Sequence, residues 1–406
     1  GPSGGSSNRE IRLSNGNGAS SGNGRINSLT AGQTLTLSGT VRATSATASH
    51  VSALNLTGVG NGILSGVVGG LTGAPTTANN MSLTKNGTGT WVLSAANIYF
   101  GATNITDGTL LAMNSTGSAT GTGNVTTSAS GILGGTGFII PAAGNSITIG
   151  TGSSLQIGTT HGVVSGQAGA AGTTAGPGVL TLGAVGQNIG MTLAGNLRFD
   201  LFSGSDGITP GAADRLVIRS SAASLTGGGT VQVADTTGSV GWRAGTWTLA
   251  DWSGFSGSLS TGFSFAMPTA PLASGYGWNT TQFTTTGAVF IEKTAANHTW
   301  TGLNNGSWAD TGNWEVGTLP SGTTDVFFAA LTPNATTQID GDKTVRNLFF
   351  SGDSNVTVGT GTGGVLYSNG SLFEVLGGTH TISANLRPRA TSGTTFHQTS
   401  TCMMGP

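Results

Sequence analysis

Short runs of alternating polar and apolar residues, each closed by glycine or asparagine within a few positions, recur along almost the whole chain. Thr34-Leu35-Thr36-Leu37-Ser38, Met81-Ser82-Leu83-Thr84, Asn104-Ile105-Thr106, Ser146-Ile147-Thr148-Ile149 and Val356-Thr357-Val358 all follow this pattern. A period of two sends one row of side chains inward and the other outward, which is how a half-buried strand reads. The runs end near Gly, Asn or Asp-Gly, residues that accept the positive φ of tight corners. No segment of about twelve residues combines a 3.6 period with helix caps, so the chain is nearly all β.

Short strands with frequent corners suit a sandwich, a barrel or a solenoid. Three features favour a parallel β-helix or β-solenoid with Gly/Asn corners. Long hairpin strands are missing, the inward residues are Leu, Ile, Val and Ala that stack on like residues one rung away, and the outward Thr, Ser and Asn can form ladders. With adjacent strands about 4.8 Å apart and about 20 residues per rung, about 20 rungs and a rod roughly 100 Å long are expected.

Composition then removes several function classes. Charged residues are only 7% of the 406, against about 25% in ordinary soluble domains. Glycine contributes 72 residues, roughly 18% against an average near 7%. Disorder of the whole chain is opposed by 36% apolar residues, a net charge of −1 and a mean hydropathy of +0.09, since disordered chains are usually less apolar and more charged. Fourteen thinly spread Lys and Arg make no electrostatic footprint for nucleic acid. Gly, Ser, Thr or Asn interrupts every apolar run well short of the ~18 residues of a membrane span. The start, Gly1-Pro2-Ser3, has no basic or apolar leader, so any signal peptide is taken to be removed or upstream. A single cysteine, Cys402, excludes an internal disulfide framework.

The aromatic residues change in texture along the chain. Trp242, Trp247, Trp252, Tyr276, Trp278, Trp300, Trp308 and Trp314 crowd one stretch. The predicted organisation is a solenoid section over 1–240, an aromatic-rich β section over 241–297 and a second solenoid section over 298–406. The Trp residues read as core and corner packing, with a sugar-stacking face as the alternative.

Catalytic constellations are weak. A glycosidase needs two facing carboxylates, and the 15 acids are scattered apart from a loose group of Asp200, Asp206 and Asp214. Ser203-Gly204-Ser205-Asp206-Gly207 reads as a turn whose Asp accepts backbone N–H bonds, with a calcium loop as the alternative. His50, His161, His298, His380 and His397 stand apart without metal-ligand spacing and read as solvated or ladder residues. Gly18-Ala19-Ser20-Ser21-Gly22 matches Gly-x-Ser-x-Gly without its strand-to-helix context. Cys402-Met403-Met404 reads as a packed rung, with a soft-metal site or an intermolecular disulfide as alternatives. Asn104-Ile105-Thr106 and Asn124-Val125-Thr126 permit glycosylation without indicating it. No catalytic, cofactor-binding or metal residue is assigned, and no enzyme activity is expected.

One stretch resembles a known family. Leu83-Thr84-Lys85-Asn86-Gly87-Thr88-Gly89-Thr90-Trp91-Val92-Leu93-Ser94, continuing through Asn104-Ile105-Thr106-Asp107-Gly108-Thr109-Leu110-Leu111, resembles the autotransporter-associated β-strand repeat. Gly131-Ile132-Leu133-Gly134-Gly135-Thr136-Gly137 is similar to the family's next rung, and Ala213-Asp214-Arg215-Leu216-Val217-Ile218 to its later part. Thr299-Trp300-Thr301-Gly302, Ser307-Trp308, Asn313-Trp314, Leu319-Pro320, Asp325-Val326-Phe327-Phe328 and Thr344-Val345-Arg346-Asn347-Leu348-Phe349-Phe350 resemble a family opening section, here placed after the repeat. The resemblance implies a secreted, right-handed parallel β-helix with a surface or adhesive role and no catalytic residues.

The displaced opening section and the Gly-Pro at both termini suggest one period of about 404 residues (406 − 2) cut from a longer array, or head-to-tail stacking of subunits. Unpaired rung edges without charged or helical caps favour such growth. The expectation is an extracellular or cell-surface filament, stalk or coat whose partners are copies of itself end to end. A monomeric adhesin binding cell-surface glycans is the first alternative, and a polysaccharide-processing β-helix enzyme the second.

Overall fold

The computed structural model describes residues 4–13, 23–43, 51–69, 81–163, 167–203, 211–222, 224–238, 242, 245–259, 262–269, 272, 276–293, 298–304, 306–328, 336–350, 356–370, 372–375, 379–389, 395–398 and 401–404. They belong to two compact units, Gly1–Leu272 with Trp278–Glu292 and Ala273–Gly277 with Lys293–Pro406. Strand dominates both. Helix among the described residues is confined to the turn Phe283–Thr286 and two 3-10 turns, Ala170–Gly172 and Thr311–Asn313.

The first unit is a parallel β-helix. One face is a ten-stranded sheet that starts at Gly5–Ser7 and runs rung by rung through Thr34–Leu37, Asn61–Leu64, Thr90–Leu93, Thr109–Ala112, Ile132–Gly135 and onward to Ser264–Ala266. A second, nine-stranded face runs from Gly24–Ser28 through Ser52–Gly58, Met81–Lys85 and Thr103–Ile105 to Ser258–Leu259. A third is made of Phe138–Ile139, Val179–Gly183, Arg215–Ser220 and Ala250–Phe255, with Ile11–Leu13 and Val41–Ala43 as a separate pair. The strand pairs within these faces are parallel, so each strand returns to the same face one coil later. A separate sheet departs from this pattern: Thr246–Thr248 pairs antiparallel with Ala288–Lys293.

The interior follows from register. Leu35, Gly62, Trp91, Leu110, Leu133, Leu155, Leu197, Val231 and Phe265 occupy one row across the ten-stranded face. Apolar side chains thus stack directly on those of the next rung, and from Trp91 to Val231 the row is fully buried. Burial of such rows supplies the main stabilisation, at about 25 cal/mol per Å² of apolar area.

Rungs are longer and fewer than expected from the sequence. Trp91 pairs with Leu110 across a short coil, but Leu155 pairs with Leu197, more than twice as far along the chain. The first unit accordingly has ten rungs on its longest face. The segment 158–178, between the strands Ser154–Ile157 and Val179–Gly183, lengthens its coil without disturbing the register, because insertions map to corners.

The corners also differ from expectation. Left-handed φ is taken by glycines and by two alanines, Ala129 and Ala171, and by no asparagine among the described residues. Corner asparagines act instead as clamps between rungs. Asn61 Oδ1 accepts the Thr90 N–H at 3.0 Å and Asn124 Oδ1 that of Ser146 at 2.8 Å. Buried Asn97 accepts from Val68 N–H at 2.7 Å and donates to Ala119 O at 2.5 Å, joining three coils. These contacts satisfy backbone groups that the parallel ladders leave open at their ends.

The second unit repeats the scheme with three parallel faces. They are His298–Thr299, Val326–Phe328, Leu348–Phe350, Leu372–Val375 and Thr395–Gln398; then Thr336–Asp340, Thr357–Gly363, Thr379–Ile382 and Thr401–Met404; then Lys343–Val345, Val365–Ser368 and Asn385–Pro388. Aromatic residues stack on their register partners: Phe327 on Phe349 and Phe328 on Phe350, each with centroids 4.7 Å apart.

Candidate functional site

Two of the three grouped acids come together. The strand ending at Leu201 bridges antiparallel to Ala213, and Asp214 N–H donates to Asp200 O at 2.9 Å. Both side chains are fully buried. Asp214 Oδ1 accepts Gly178 N–H at 2.9 Å and Oδ2 accepts Asp200 N–H at 3.0 Å. Asp200 Oδ1 accepts Gly162 N–H at 2.8 Å. His161 Nδ1 lies 2.9 Å from the same oxygen but is not aligned on it as a hydrogen bond. Asp200 Oδ2 has no hydrogen-bond partner. Burial, reinforced by the Asp200 charge, pushes the Asp214 carboxyl up to about 8 against the pull of its two N–H donors. Asp206, and Gly204 to Gly207 of the calcium-loop reading, lie outside the described residues.

Chemically this cluster is a pin. Its bonded oxygens are spent on backbone N–H groups of 162, 178 and 200, so it ties Gly162 and Gly178 of one coil to Asp200 and Asp214 of the next. A glycosidase pair must instead face an open cleft with room for sugar and water, and these carboxylates have no exposed surface.

The remaining candidates are placed as follows. His298 is buried with Nε2 3.1 Å from the Thr318 hydroxyl. His380 is fully buried, accepts Val356 N–H on Nδ1 at 3.2 Å and lies 5.1 Å from the Phe350 ring. These two are therefore core residues and not solvated ones; a neutral imidazole fits His380 because its acceptor nitrogen is used. His50 and Gly18 to Gly22 lie outside the described residues, and His397 and Cys402 are described only as strand backbone, opposite Glu374 and His380 in register. Trp247, Trp252, Trp300, Trp308 and Trp314 are buried, while Trp242 and Trp278 are half-buried against Trp247. In the second unit Trp314 meets Trp300 and Trp308 edge to face at 5.1 and 4.8 Å. Asn104 is exposed on its strand, and Asn124 is engaged as a clamp.

The segment that carries the family resemblance is built around groups not singled out from sequence. Lys85 is fully buried at a corner and donates from Nζ to Gly87 O at 2.5 Å and Asp107 O at 3.0 Å. Burial lowers its pKa to about 8, with Asp107 opposing the shift. Gly87 and Gly108 stack above one another there at φ +82° and +63°; a Cβ on Gly108 would meet Lys85 Nζ at 2.6 Å. Only glycine combines that φ with that approach. One rung face away, the Trp91 indole lies flat over Gly62, where a Cβ would fall within 2.6 Å of three ring carbons. The Lys85–Asp107 contact and the Gly62–Trp91 pair join residues of different coils, so neither was visible from local pattern.

Residues 83–112 match the family model described as passenger-associated-transport-repeat. The chain matches no curated protein and no solved structure. Its strands Met81–Lys85, Thr90–Leu93, Thr103–Ile105 and Thr109–Ala112 are the matched region in three dimensions, and the chain thus carries a passenger-associated-transport-repeat within a parallel β-helix.

Proposed function

We propose that this chain is an extracellular structural protein, part of a filament, stalk or surface coat that extends by continuation of its β-solenoid. The single observation that carries the reading is the parallel register, in which each coil presents the same rows to the next. Such a coil lengthens by adding rungs without altering its cross-section, and stability accumulates from nearest-neighbour interfaces. A contact of one end on the other that does not close generates a filament. The passenger-associated repeat supports a secreted or surface setting, and few charges make the assembly indifferent to salt. A structural role, rather than a catalytic one, also fits the burial of the paired acids Asp200 and Asp214.

Electron microscopy of native material without added ligand tests it. Continuous fibres with an axial spacing near ~4.8 Å are expected. Discrete particles one chain long, unchanged over a wide range of protein concentration, would refute it.

A further inference from the structure

The outward row of the ten-stranded face changes character along the coil. In register it reads Thr36, Ile63, Val92, Leu111, Gly134 and Gln156. Three apolar side chains thus point away from the interior, yet Val92 and Leu111 are buried. What covers them is the 158–178 segment. Its middle is a small hairpin: Ala168 bridges antiparallel to Thr174, Gly169 N–H donates to Thr173 O at 2.7 Å, and Ala175 N–H to Gln167 O at 2.9 Å. At the tip Ala171, left-handed at φ +54°, is buried on Val92 and Leu111, with Ile63 and Met113 at the margin. The tip therefore reaches back over rungs two to four before Ser154–Ile157.

The tip offers one methyl group, so its seating depends on the roots of the segment. Both roots end on the buried carboxyl pair: Gly162 N–H donates to Asp200 Oδ1 at 2.8 Å and Gly178 N–H to Asp214 Oδ1 at 2.9 Å. Thr159 Oγ1 donates to Thr174 O at 2.9 Å, which ties the hairpin to the first root. His161 stands 2.9 Å from Asp200 Oδ1. On the neighbouring strands Arg198 is turned to Gln232, Arg215 and Arg219 to Asp251, and Asp235 to Thr237. None of these four offsets a second negative charge on the pair. Burial holds the Asp214 carboxyl protonated up to about pH 8. Two buried carboxylates would need water. The strands around them are locked in parallel ladders, so the root segment is the wall that can lift to admit it.

We propose that the 167–175 hairpin is a strap held shut through the half-neutralised Asp200–Asp214 pair, closed in acid and lifting from the Ile63–Val92–Leu111 strip as that pair ionises fully. Once hydrated, Asp214 returns toward its ordinary value of about 4. Closure is therefore fully favoured below about pH 4 and weakens as pH rises to about 8. The bared strip is an outward apolar patch of the kind that invites lateral contact. The device does not depend on end-to-end growth.

Thiol labelling of the full chain in a Cys402→Ser background tests it. Val92→Cys reports from under the strap, and Val125→Cys, at a fully buried inward position, reports global unfolding. Rates are referred to the urea-unfolded chain at the same pH. Protection of Val92→Cys should fall by up to about tenfold per pH unit between about pH 5 and 8, the slope of one proton, while Val125→Cys stays protected. Asp214→Asn should abolish the fall and His161→Gln should keep it. Ala171→Asp, which changes the tip and leaves the roots intact, should lower protection about tenfold at every pH, and carries the test should Asp214→Asn not fold. A flat profile, a fall shared by Val125→Cys, a fall that survives in Asp214→Asn, one lost in His161→Gln, or protection untouched in Ala171→Asp would overturn the assignment.

Discussion

Gly62→Ala is the sharpest probe of the stacked interior. Gly62 lies in the inward row between Leu35 and Trp91, and the added methyl would sit within 2.6 Å of three indole carbons. Ordinary carbon contacts lie at about 3.5–4.0 Å, so the ring or the backbone must move by about 1 Å. Trp91 is fully buried and stacked on Leu110 from the other side, which leaves no room for an easy retreat. Overpacking of this kind costs about 1–3 kcal/mol, or about 2–6 °C in midpoint at about 2 °C per kcal/mol for a large domain.

A double-mutant cycle isolates the cause. Trp91→Leu alone should cost about 2–4 kcal/mol through the cavity it leaves. In Gly62→Ala/Trp91→Leu the methyl enters part of that cavity, so the pair should cost less than the sum by at least ~1 kcal/mol. Thermal and urea unfolding followed by far-ultraviolet circular dichroism supply the four values. Additivity within ~0.5 kcal/mol would show that the Gly62–Trp91 contact does not govern packing at this rung.

Further outcomes are expected at three residues. Lys85→Met removes the donor shared by Gly87 O and Asp107 O and should destabilise by about 1–3 kcal/mol. Between pH 8 and 10.5 the wild-type chain should also gain stability, because folded Lys85 releases its proton first and the unfolded state then binds more protons; an equal rise in midpoint for the Lys85→Met variant would refute this. Asp214 has the opposite sign: its folded pKa near 8 keeps the proton that the unfolded chain loses near 4, so stability should fall as pH rises from about 4 to 8. Asp214→Asn should flatten that fall in a series of melting curves. Asn97→Ala leaves Val68 N–H and Ala119 O without their clamp, costing about 2–4 kcal/mol, and hydrogen exchange should show faster loss of the Val68 amide.

What the sequence made legible was whatever repeats locally. Thr-Leu-Thr-Leu at 34–37 and Ser-Ile-Thr-Ile at 146–149 are strands because period two needs no information from elsewhere in the chain. The segment around Lys85 was readable for a related reason: its corner glycines recur at short range. Register was not readable, since the long stretch between Leu155 and Leu197 looks no different in text from two ordinary coils. The same distance hid the chemistry. Asp200 and Asp214 stood out as acids close together in sequence, but donors to them come from Gly162 and Gly178, on other segments. Asp251 attracted no notice, because the arginines that orient it are 36 and 32 residues upstream. In a parallel coil each residue's nearest neighbours lie one rung away, so a polar side chain has a local sequence context and a spatial context that share almost nothing. Polar function in such a fold can therefore be read only once the rung length is known, and here the rung length is set by the variable corners rather than by the strands.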